Sequence, residues 1–358
     1  MTATQIREFK GTPGQIRRRR IEAGGALFFG ALLSIWLIVN LIKSPTQFAQ
    51  VAILGFKNGL LYALIALGYT LVYGIIELIN FAHGDLFMLG SLFSAFFITK
   101  WFHQTKSNPS GWLTFAAALV CAMAFCATLN VLIERLAYRR LRKAPKLAPL
   151  ITAVGMSFIL QFVGIRWNGS MPKSWPKVLP HGDFTVGGVI ISWTTIFLLI
   201  VAVPLLILLG LIVNKTKQGK AMRATAQDQD AARLMGIDVN RTISFTFALG
   251  GALAGAAGLL YQQSIGTTNY NLGFQLGLIA FTSAVLGGIG NLNGAVLGAI
   301  LIGIIQGLND GLPIGLGQKW SQTVVFTILI LIMVFKPAGL LGKATTEKVL
   351  SLIHISEP

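Results

Sequence analysis

Charged residues are scarce in this chain, and acidic residues are the scarcest. Only 11% of the 358 residues are Asp, Glu, Lys or Arg, whereas soluble domains carry about 25%. Twelve acidic residues stand against 29 Lys and Arg, and 54% of the chain is hydrophobic. A surface with so few charges would be poorly solvated by water. The composition therefore argues against an ordinary soluble domain and favours the bilayer as solvent.

Cysteine is also scarce, since the chain has only Cys121 and Cys126. Residues five apart on a helix do not share a face, and two cysteines provide neither a disulfide framework nor the spacing of a zinc site. His83 has no second ligand at a suitable spacing for a metal. The sequence therefore predicts no metal and no cofactor.

The excess of basic residues gives a net charge of +17, which in other proteins is typical of nucleic-acid binding. Here the charges stand in short blocks between long apolar runs, and no basic stripe interleaves with aromatic residues. We therefore expect loop charges that orient a membrane protein, and no nucleic-acid partner.

Long apolar runs are what the chain has in abundance. A membrane-spanning helix needs about 20 mostly apolar residues, and ten segments meet or approach this: 24–42, 50–73, 84–99, 113–133, 149–166, 191–213, 243–262, 276–290, 295–308 and 322–335. The short segments near 84–99, 276–290 and 295–308 could be half-helices, which leaves eight crossings as the alternative. The predicted fold is an all-α polytopic transmembrane helical bundle spanning 24–335.

The first run, 24–42, follows four arginines and ends at Lys43-Ser44-Pro45, so we interpret it as an anchored helix and not as a cleaved signal peptide. Residues 1–23 would then be a basic cytoplasmic tail and residues 336–358 a cytoplasmic C-terminal tail. The last eight residues resemble translated sequencing-adapter sequence and carry no prediction.

Orientation follows from Lys and Arg near the helix ends. With ten crossings and a cytoplasmic start, the inside segments hold six basic residues in the N-terminal tail, six after Ile133, six in the loop Asn214–Arg241 and three in the C-terminal tail. Seven lie outside, and Lys57 falls within a membrane segment. This three-to-one bias predicts a cytoplasmic N-terminus. The longest outside loop, roughly 167–190, is either a plain connection or a contact for an extracytoplasmic partner.

A polar run, Tyr73 to Asp85, interrupts two apolar segments and contains Glu77, Asn80, His83 and Asp85. Charged side chains inside a bilayer cost roughly 3 kcal/mol and normally face protein or water. Asn80 and Gly84 are residue types that can end one helix and start another. Two interpretations stay open: a broken helix pair lining a transport path, or a polar hairpin at the cytoplasmic surface.

A second hairpin, Leu286–Gly294, has a similar plan, with Asn291 in a place comparable to that of Asn80. The similarity is a weak internal repeat, which would suit a transporter built from two related halves. In a third run, Gly250–Gly258, small residues such as Gly251 and Gly255 recur at a spacing of four. This spacing lets helix backbones approach closely, so we expect a packing role.

The loop from Asn214 to Arg241 contains a short amphipathic helix. Apolar residues recur at helical intervals from Ala221 to Met235, and Gly236 is a typical helix stop. A helix of this kind between two membrane helices either docks on a cytoplasmic partner or lies on lipid.

The segment Asp230-Ala231-Ala232-x-x-x-Gly236 resembles the Glu-Ala-Ala-x-x-x-Gly coupling motif of ATP-binding-cassette (ABC) importer permeases, with Asp in place of Glu. Ala63–Thr70, Ile79–Asp85 and Gly287–Asn291 resemble the branched-chain amino acid permeases of the Liv type. The resemblance runs in order over roughly residues 50–340, although urea and short-chain amide permeases share much of it. The basic N-terminal extension is longer than is usual in the family.

The resemblance implies a bacterial inner-membrane permease subunit of an ABC importer for branched-chain or other neutral amino acids. Its partners would be two cytoplasmic ATPase subunits, a second permease subunit and an extracytoplasmic binding protein. Asp230, Ala231, Ala232 and Gly236 would transmit the motion of the ATPase. Asn80, His83, Gly84, Asp85 and Asn291 are candidates for the translocation path through a bundle surrounded by membrane lipid. Apolar substrates need a largely apolar route, which fits the few charges within the membrane.

Two other classes of function remain. An ion-coupled transporter or channel would use Glu77, Asp85 or Lys57 and need no ATPase. An enzyme is disfavoured, because the sequence has no nucleophile elbow or metal cluster. The segment ending in Gly342-Lys343 is similar to a phosphate-binding loop but lacks two of its required residues. Pro337 stands where the loop needs its first glycine, and Ala344 stands where it needs Ser or Thr. We therefore expect a transport subunit without its own ATPase site.

Overall fold

The fold was derived from a computed structural model that describes residues 34–78, 80–103, 111–142, 144–145, 147–179 and 182–342. The predicted tail 1–23, the start of the first apolar run and the last eight residues lie outside these ranges. The helices are α1 (Ser34–Lys43), α2 (Pro45–Ile76), α3 (Ala82–Phe96), α4 (Gly111–Ile133), α5 (Leu147–Asn168), α6 (Trp193–Lys215), α7 (Lys217–Gln227), α8 (Gln229–Leu234), α9 (Val239–Ile265), α10 (Leu272–Gly287), α11 (Leu292–Gly311) and α12 (Ser321–Phe335).

Short irregular helices and strands complete the described chain. A π-helical turn, Phe97–Trp101, extends α3, and a second, Glu134–Tyr138, extends α4 and leads into the 3₁₀ turn Arg139–Leu141. Another 3₁₀ turn, Gln318–Trp320, precedes α12. Four strands form two antiparallel pairs: β1 (Lys173–Ser174) with β4 (Thr267–Thr268), and β2 (Asp183–Val186) with β3 (Val189–Ser192).

Each of the ten predicted apolar segments corresponds to a helix, the first of them in its described part. Eight helical segments of the described chain are long and apolar enough to cross a membrane, while α1 and α10 are shorter. The segments near 84–99 and 295–308 are full-length helices, because the π turn brings the α3 segment to 20 residues and α11 also has 20. Among the three segments considered as half-helices, only 276–290 corresponds to a short helix.

Burial separates central helices from peripheral ones. In the most apolar windows of α2 and α3, 83% of residues are buried, whereas in that of α6 only 22% are. Large apolar side chains on α6, such as Ile200 and Ile207, are more than half exposed. A broad apolar surface of this kind marks a membrane-facing side. The chain is therefore an all-α polytopic membrane bundle with α2, α3 and α9 at its centre.

Close glycine contacts hold the centre together. Gly55 and Gly59 of α2 face Gly303 and Gly307 of α11, and a Cβ added to Gly303 would lie 2.4 Å from the Cα of Gly59. Two facing pairs of glycines at spacing four let antiparallel backbones touch along two turns. This pair of motifs was not singled out in the sequence.

The predicted packing role of Gly251 and Gly255 is confirmed. A Cβ at Gly251 would lie 2.4 Å from the carbonyl oxygen of Cys126, and one at Gly255 would lie 2.4 Å from that of Ala122. Both carbonyls belong to α4, so the small residues of α9 serve its contact with α4. Nearby, the Asn130 Nδ2 donates to the Phe247 carbonyl oxygen at 2.6 Å.

The loops of the described chain collect on two opposite faces. We call one the basic face; it holds the residues 77–78, 80–81, 134–142, 214–238, 288–291 and 336–342. The other, the strand face, holds the two strand pairs and the segment 312–320. Hydrogen bonds from Tyr138 to Asn80 and from Asn291 to Leu341 join segments of the basic face. On the strand face, the Ile314 backbone N–H donates to Asn40 of α1.

Two local predictions need correction. The helix break in the polar run lies between the end of α2 at Ile76 and the start of α3 at Ala82, and Glu77 adopts a left-handed conformation there with φ 52°. Gly84 lies inside the first turn of α3, where a Cβ would come 2.3 Å from the Gly273 carbonyl oxygen. Its small size therefore serves contact with α10 and not a helix break.

The amphipathic segment is two helices, whereas the sequence predicted one continuous helix. Asp228 has extended backbone angles between α7 and α8, and its Oδ1 accepts from the backbone N–H groups of Asp230 and Ala231 at 2.8 and 3.0 Å. An aspartate cap satisfies the free N–H groups of a new helix start, so the chain bends there. The predicted stop at Gly236 is confirmed by its φ of 80°.

Candidate functional site

A cavity of about 600 Å³ lies at the basic face, between the ends of several helices. The end of α2 forms one wall, the end of α6 and part of α7 form another, and the turn between α10 and α11 closes the third. The lining residues are Thr70, Leu71, Gly74, Ile75, Val213, Asn214, Met222, Arg223, Ala226, Ile289, Gly290, Asn291, Leu292 and Asn293.

The lining of this basic-face cavity is mostly apolar with a few polar groups. Arg223 is the one charged residue among the lining residues, and Asn214, Asn291 and Asn293 add carboxamides. Arg223 Nη1 donates to the Val213 carbonyl oxygen. Such a mixture suits a small molecule with an apolar body and polar ends.

The helix α7 is fixed against the end of α6. The Thr216 Oγ1 accepts from the Gly219 backbone N–H at 3.0 Å, which caps the start of α7. Met222 and Thr225 are buried, and a Cβ at Gly219 would lie 2.2 Å from the Val213 carbonyl oxygen. The segment α7–α8 is therefore anchored to the membrane helices through α7.

The four predicted coupling residues lie in and just after α8. Asp230 is exposed and forms a 2.9 Å ion pair with Arg233 one turn on. Ala231 follows on the first turn, Ala232 is 4% exposed, and Gly236 has open space around it. The structure thus brings the motif together on a short capped helix at the basic face, and its coupling role stays a prediction.

The end of α8 presents two large apolar side chains to solvent. Leu234 is 89% exposed and Met235 is 82% exposed. They are among the most exposed large apolar residues of the described chain, and they stand next to basic residues at a loop and not on a membrane-facing helix. An apolar tip of this kind marks an interaction surface.

Asn80 is buried near the end of the linker between α2 and α3. The Tyr138 hydroxyl donates to its Oδ1 at 2.7 Å, while the Asn80 Nδ2 has no hydrogen-bond partner among the described residues. Its neighbour Glu77, in contrast, is exposed at the basic face. Of these two polar residues, Glu77 therefore lies at the surface and Asn80 in the interior, and both interpretations of the run stay predictions.

His83 and Asp85 are fully buried between helices. The imidazole of His83 packs edge-on against Tyr69, with 4.9 Å between ring centroids, and neither of its ring nitrogens has a hydrogen-bond partner in the described chain. The Ser157 hydroxyl donates to Asp85 Oδ2, and the Gln161 Nε2 reaches that hydroxyl at 3.2 Å. Neither residue lines the basic-face cavity.

Asn291 does line the cavity, but its side chain is already engaged. Its Oδ1 accepts from the Gly294 backbone N–H at 3.2 Å, which caps α11, and its Nδ2 donates to the Leu341 carbonyl oxygen at 2.8 Å. The second hairpin lies beside the first, since a Cβ at Gly74 would be 3.6 Å from the Cα of Gly290. Asn80 and Asn291 thus differ in environment although the sequence placed them in comparable positions.

One charged cluster was missed by the sequence reasoning. Glu134 is fully buried and accepts from Arg139 Nε at 3.3 Å, from Arg142 and from the Ser244 hydroxyl at 2.6 Å. Arg142 Nη1 also donates to the Asn240 Oδ1 at 2.8 Å. Burial lowers the pKa of the Arg142 guanidinium, and the adjacent Glu134 carboxylate opposes this effect. In the sequence, the spacing Glu134-x₄-Arg139-x₂-Arg142 is the one pattern that indicates this cluster.

The apolar bundle, the basic-face cavity and the exposed capped helix define a polytopic membrane transport protein. The chain belongs to the family described as branched-chain amino acid transport system / permease component, whose model matches residues 51–334. This match confirms the resemblance found in the sequence.

Named relatives agree over most of the chain. The high-affinity branched-chain amino acid transport system permease protein BraD of Pseudomonas aeruginosa is 39% identical over 309 residues, covering 85% of this chain and 98% of the relative. The corresponding protein LivH of Escherichia coli K12 is 39% identical over 307 residues, covering 84% and 98%.

A probable branched-chain amino acid transport permease protein LivH of Methanocaldococcus jannaschii is 30% identical over 241 residues, covering 66% of this chain and 73% of the relative. No solved structure matches this chain with significance. The chain is therefore a permease component of this family.

Proposed function

We propose that the chain is the membrane permease subunit of an ABC importer for branched-chain amino acids. Two separate cytoplasmic ATPase subunits power it, a second permease subunit completes the pathway, and an extracytoplasmic binding protein delivers the substrate. The protein lies in the inner membrane of a bacterial cell, surrounded by lipid, with its N-terminus and basic face in the cytoplasm.

The observation that carries this proposal is the short capped helix α8, with its exposed apolar tip of Leu234 and Met235. Burying one such side chain against a partner contributes roughly 1.5–3 kcal/mol. The tip stands on the face that holds the basic loops, where the positive-inside rule expects the cytoplasm. The ATPase subunit would therefore find both an apolar contact and the coupling residues Asp230, Ala231, Ala232 and Gly236.

Mechanically, closure of the ATPase pair would push on α8 and, through α7 and the end of α6, on the wall of the basic-face cavity. This cavity is the inner mouth of the transport route in our proposal. Its apolar walls suit leucine, isoleucine and valine side chains, and the carboxamides of Asn214 and Asn293 would meet the charged ends of the amino acid. Asn291 would shape this mouth by capping α11. Asn80, His83, Gly84 and Asp85 lie deeper and would shape the closed part of the route.

The ATP is hydrolysed by the partner chains in this proposal, and the permease holds no ATPase site of its own. Nucleotide binding by the purified permease alone, measured with a labelled ATP analogue, would contradict this part. The expected result is no binding without the ATPase subunits.

Co-purification and substrate competition test the proposal together. The permease is expressed with its neighbouring genes, captured by an affinity tag, and the complex is probed for ATPase subunits. In proteoliposomes loaded with ATP, an excess of unlabelled isoleucine or valine should abolish uptake of labelled leucine, while urea and acetamide should not. Urea transport without leucine transport would instead assign a urea or short-chain amide permease.

A further inference from the structure

We propose that Glu134 is a positioning residue that fixes the first turns of α9 to the end of α4, so that motion of α8 reaches the membrane helices. The inference rests on the proposed function, because it assigns a task only in an ATP-driven importer. It concerns a buried carboxylate that belongs to neither the coupling motif nor the basic-face cavity.

The first step joins α8 to α9. Four residues separate the two helices, and the Ile237 backbone N–H donates back to the Ala232 carbonyl oxygen at 3.0 Å. The Asp238 Oδ1 then accepts from the Arg241 N–H at 3.0 Å and caps α9. With both sides of the connection hydrogen-bonded, a push on α8 is passed to the start of α9.

The second step joins α9 to α4. Glu134, at the end of α4, accepts the hydroxyl of Ser244, which lies in the second turn of α9. Arg142 donates to both Glu134 and Asn240, so it joins the same two helices a second time. Ion pairs that are buried and hydrogen-bonded in this way resist rearrangement, because breaking one leaves a charge without compensation.

The third step leads from α4 to the buried polar residues. The π-helical turn that begins at Glu134 ends at Tyr138, whose hydroxyl donates to Asn80. Single π turns inside α-helices are frequent at functional sites. Asn80 in turn precedes His83 and Asp85, so a continuous set of contacts runs from α8 to the candidate path residues.

A purely stabilising role for Glu134 is the alternative, and the two roles differ in what they predict. Loss of a stabilising contact lowers the amount of folded protein, and uptake and ATP hydrolysis then fall together. Loss of a mechanical connection leaves ATP hydrolysis running while uptake drops. The ratio of ATP hydrolysed to substrate imported therefore separates the two roles.

The experiment compares the reconstituted wild-type complex with Glu134→Gln, which keeps the shape but removes the charge, and with Ser244→Ala, which removes one hydrogen bond. Asp310→Asn is the matched control, because Asp310 also accepts from a serine hydroxyl, that of Ser321, but towards the strand face. Each variant is measured for leucine uptake, ATP hydrolysis and thermal unfolding.

We expect Glu134→Gln to raise the ATP consumed per leucine by about two- to thirtyfold, the range typical of residues in a coupling network. Ser244→Ala should raise it less, and Asp310→Asn should leave it at the wild-type value. If Glu134→Gln does not fold, Ser244→Ala still decides the question. If Glu134→Gln and Ser244→Ala both consume as much ATP per leucine as the unsubstituted complex, the inference alone is overturned. If the unsubstituted complex takes up leucine without ATP, the proposed function is overturned as well.

Discussion

Single glycines decide how closely the central helices pack. At Gly255 the carbonyl oxygen of Ala122 occupies the space a side chain would need. At Gly210, on the peripheral helix α6, an added Cβ would meet no neighbouring helix or loop of the described chain within 4 Å. The same residue type therefore has a packing role at one position and none at the other.

Substitution of these two glycines tests this difference. Gly255→Ala should lower the free energy of unfolding in detergent by about 1–3 kcal/mol, the usual cost of overpacking, because a backbone carbonyl cannot move aside. Gly210→Ala should leave it unchanged or raise it by up to about 1 kcal/mol, since alanine favours helix. Denaturant titration followed by circular dichroism measures both, and equal effects would show that the α4–α9 contact is looser than described.

Asp228 offers a second test at the residue scale, because its side chain caps α8. Asp228→Ala should cost about 1 kcal/mol of local helix stability. By our proposal this weakens ATPase binding about fivefold. Asp228→Asn can still cap and should bind like the wild type. Titration of the solubilised permease with ATPase subunits measures these affinities. Identical affinities for all three proteins would show that the order of α8 does not contribute to ATPase binding.

The residue-level site was only partly predictable from the sequence. Asp230 to Gly236 form a contiguous motif, so their proximity could be predicted. The contact of Glu134 with Ser244 spans 110 positions, and no local pattern connects residues so distant. The cap at Asp228 was visible as a residue type but was overlooked, because the apolar periodicity continued through it.

At the scale of elements, the segment α7–α8 combines one anchored helix with one exposed helix. α7 buries Met222 and Thr225 against the bundle, while α8 presents Leu234 and Met235 to solvent. Only Asp228 separates the two helices. In the proposed function, the buried helix α7 anchors α8 to the bundle, and the exposed helix α8 binds the ATPase.

Removing the apolar side chains at the tip of α8 should weaken ATPase binding. Leu234→Ser combined with Met235→Ser should lower the affinity for the ATPase subunits by about tenfold or more, given the free energy of burying apolar side chains. Leu316→Ser is the matched control, because Leu316 is 65% exposed on the strand face. Surface plasmon resonance on nanodisc-embedded permease measures the change, and an effect of similar size in the control would refute the docking surface.

Helix existence followed from the sequence more reliably than helix ends did. The second apolar segment was predicted to begin at residue 50, whereas α2 begins at Pro45. Proline is favoured in the first turn of a helix, but here it had been interpreted only as the end of the preceding helix. The central position of α2, α3 and α9 was not predictable from apolarity alone, because α12 is less apolar than α2 although far fewer of its residues are buried.

At the scale of the whole molecule, the alternation of the helices sorts the loops onto two faces. In the described chain the basic face carries 11 Lys and Arg residues and the strand face carries 6, those near helix ends included. This asymmetry has the sign that the positive-inside rule requires for a cytoplasmic basic face. The predicted membrane domain 24–335 and the two tails remain predictions.

Cysteine labelling tests the proposed orientation. In a background with Cys121 and Cys126 changed to alanine, Thr185→Cys on the strand face should react with a membrane-impermeant maleimide in spheroplasts. Lys217→Cys on the basic face should react only after the membrane is opened. Both positions are exposed in the fold. The opposite pattern would reverse the orientation and remove the basis for ATPase docking at α8.

The central claim is that ATP hydrolysed by separate subunits drives branched-chain amino acid import through this chain. The most direct measurement is uptake of labelled leucine by proteoliposomes that hold the complete complex and binding protein, with ATP and the ion gradients controlled independently. The account predicts uptake that requires ATP and persists when an ionophore collapses the gradients. Uptake that continues without ATP but stops with the ionophore would contradict it and assign an ion-coupled transporter.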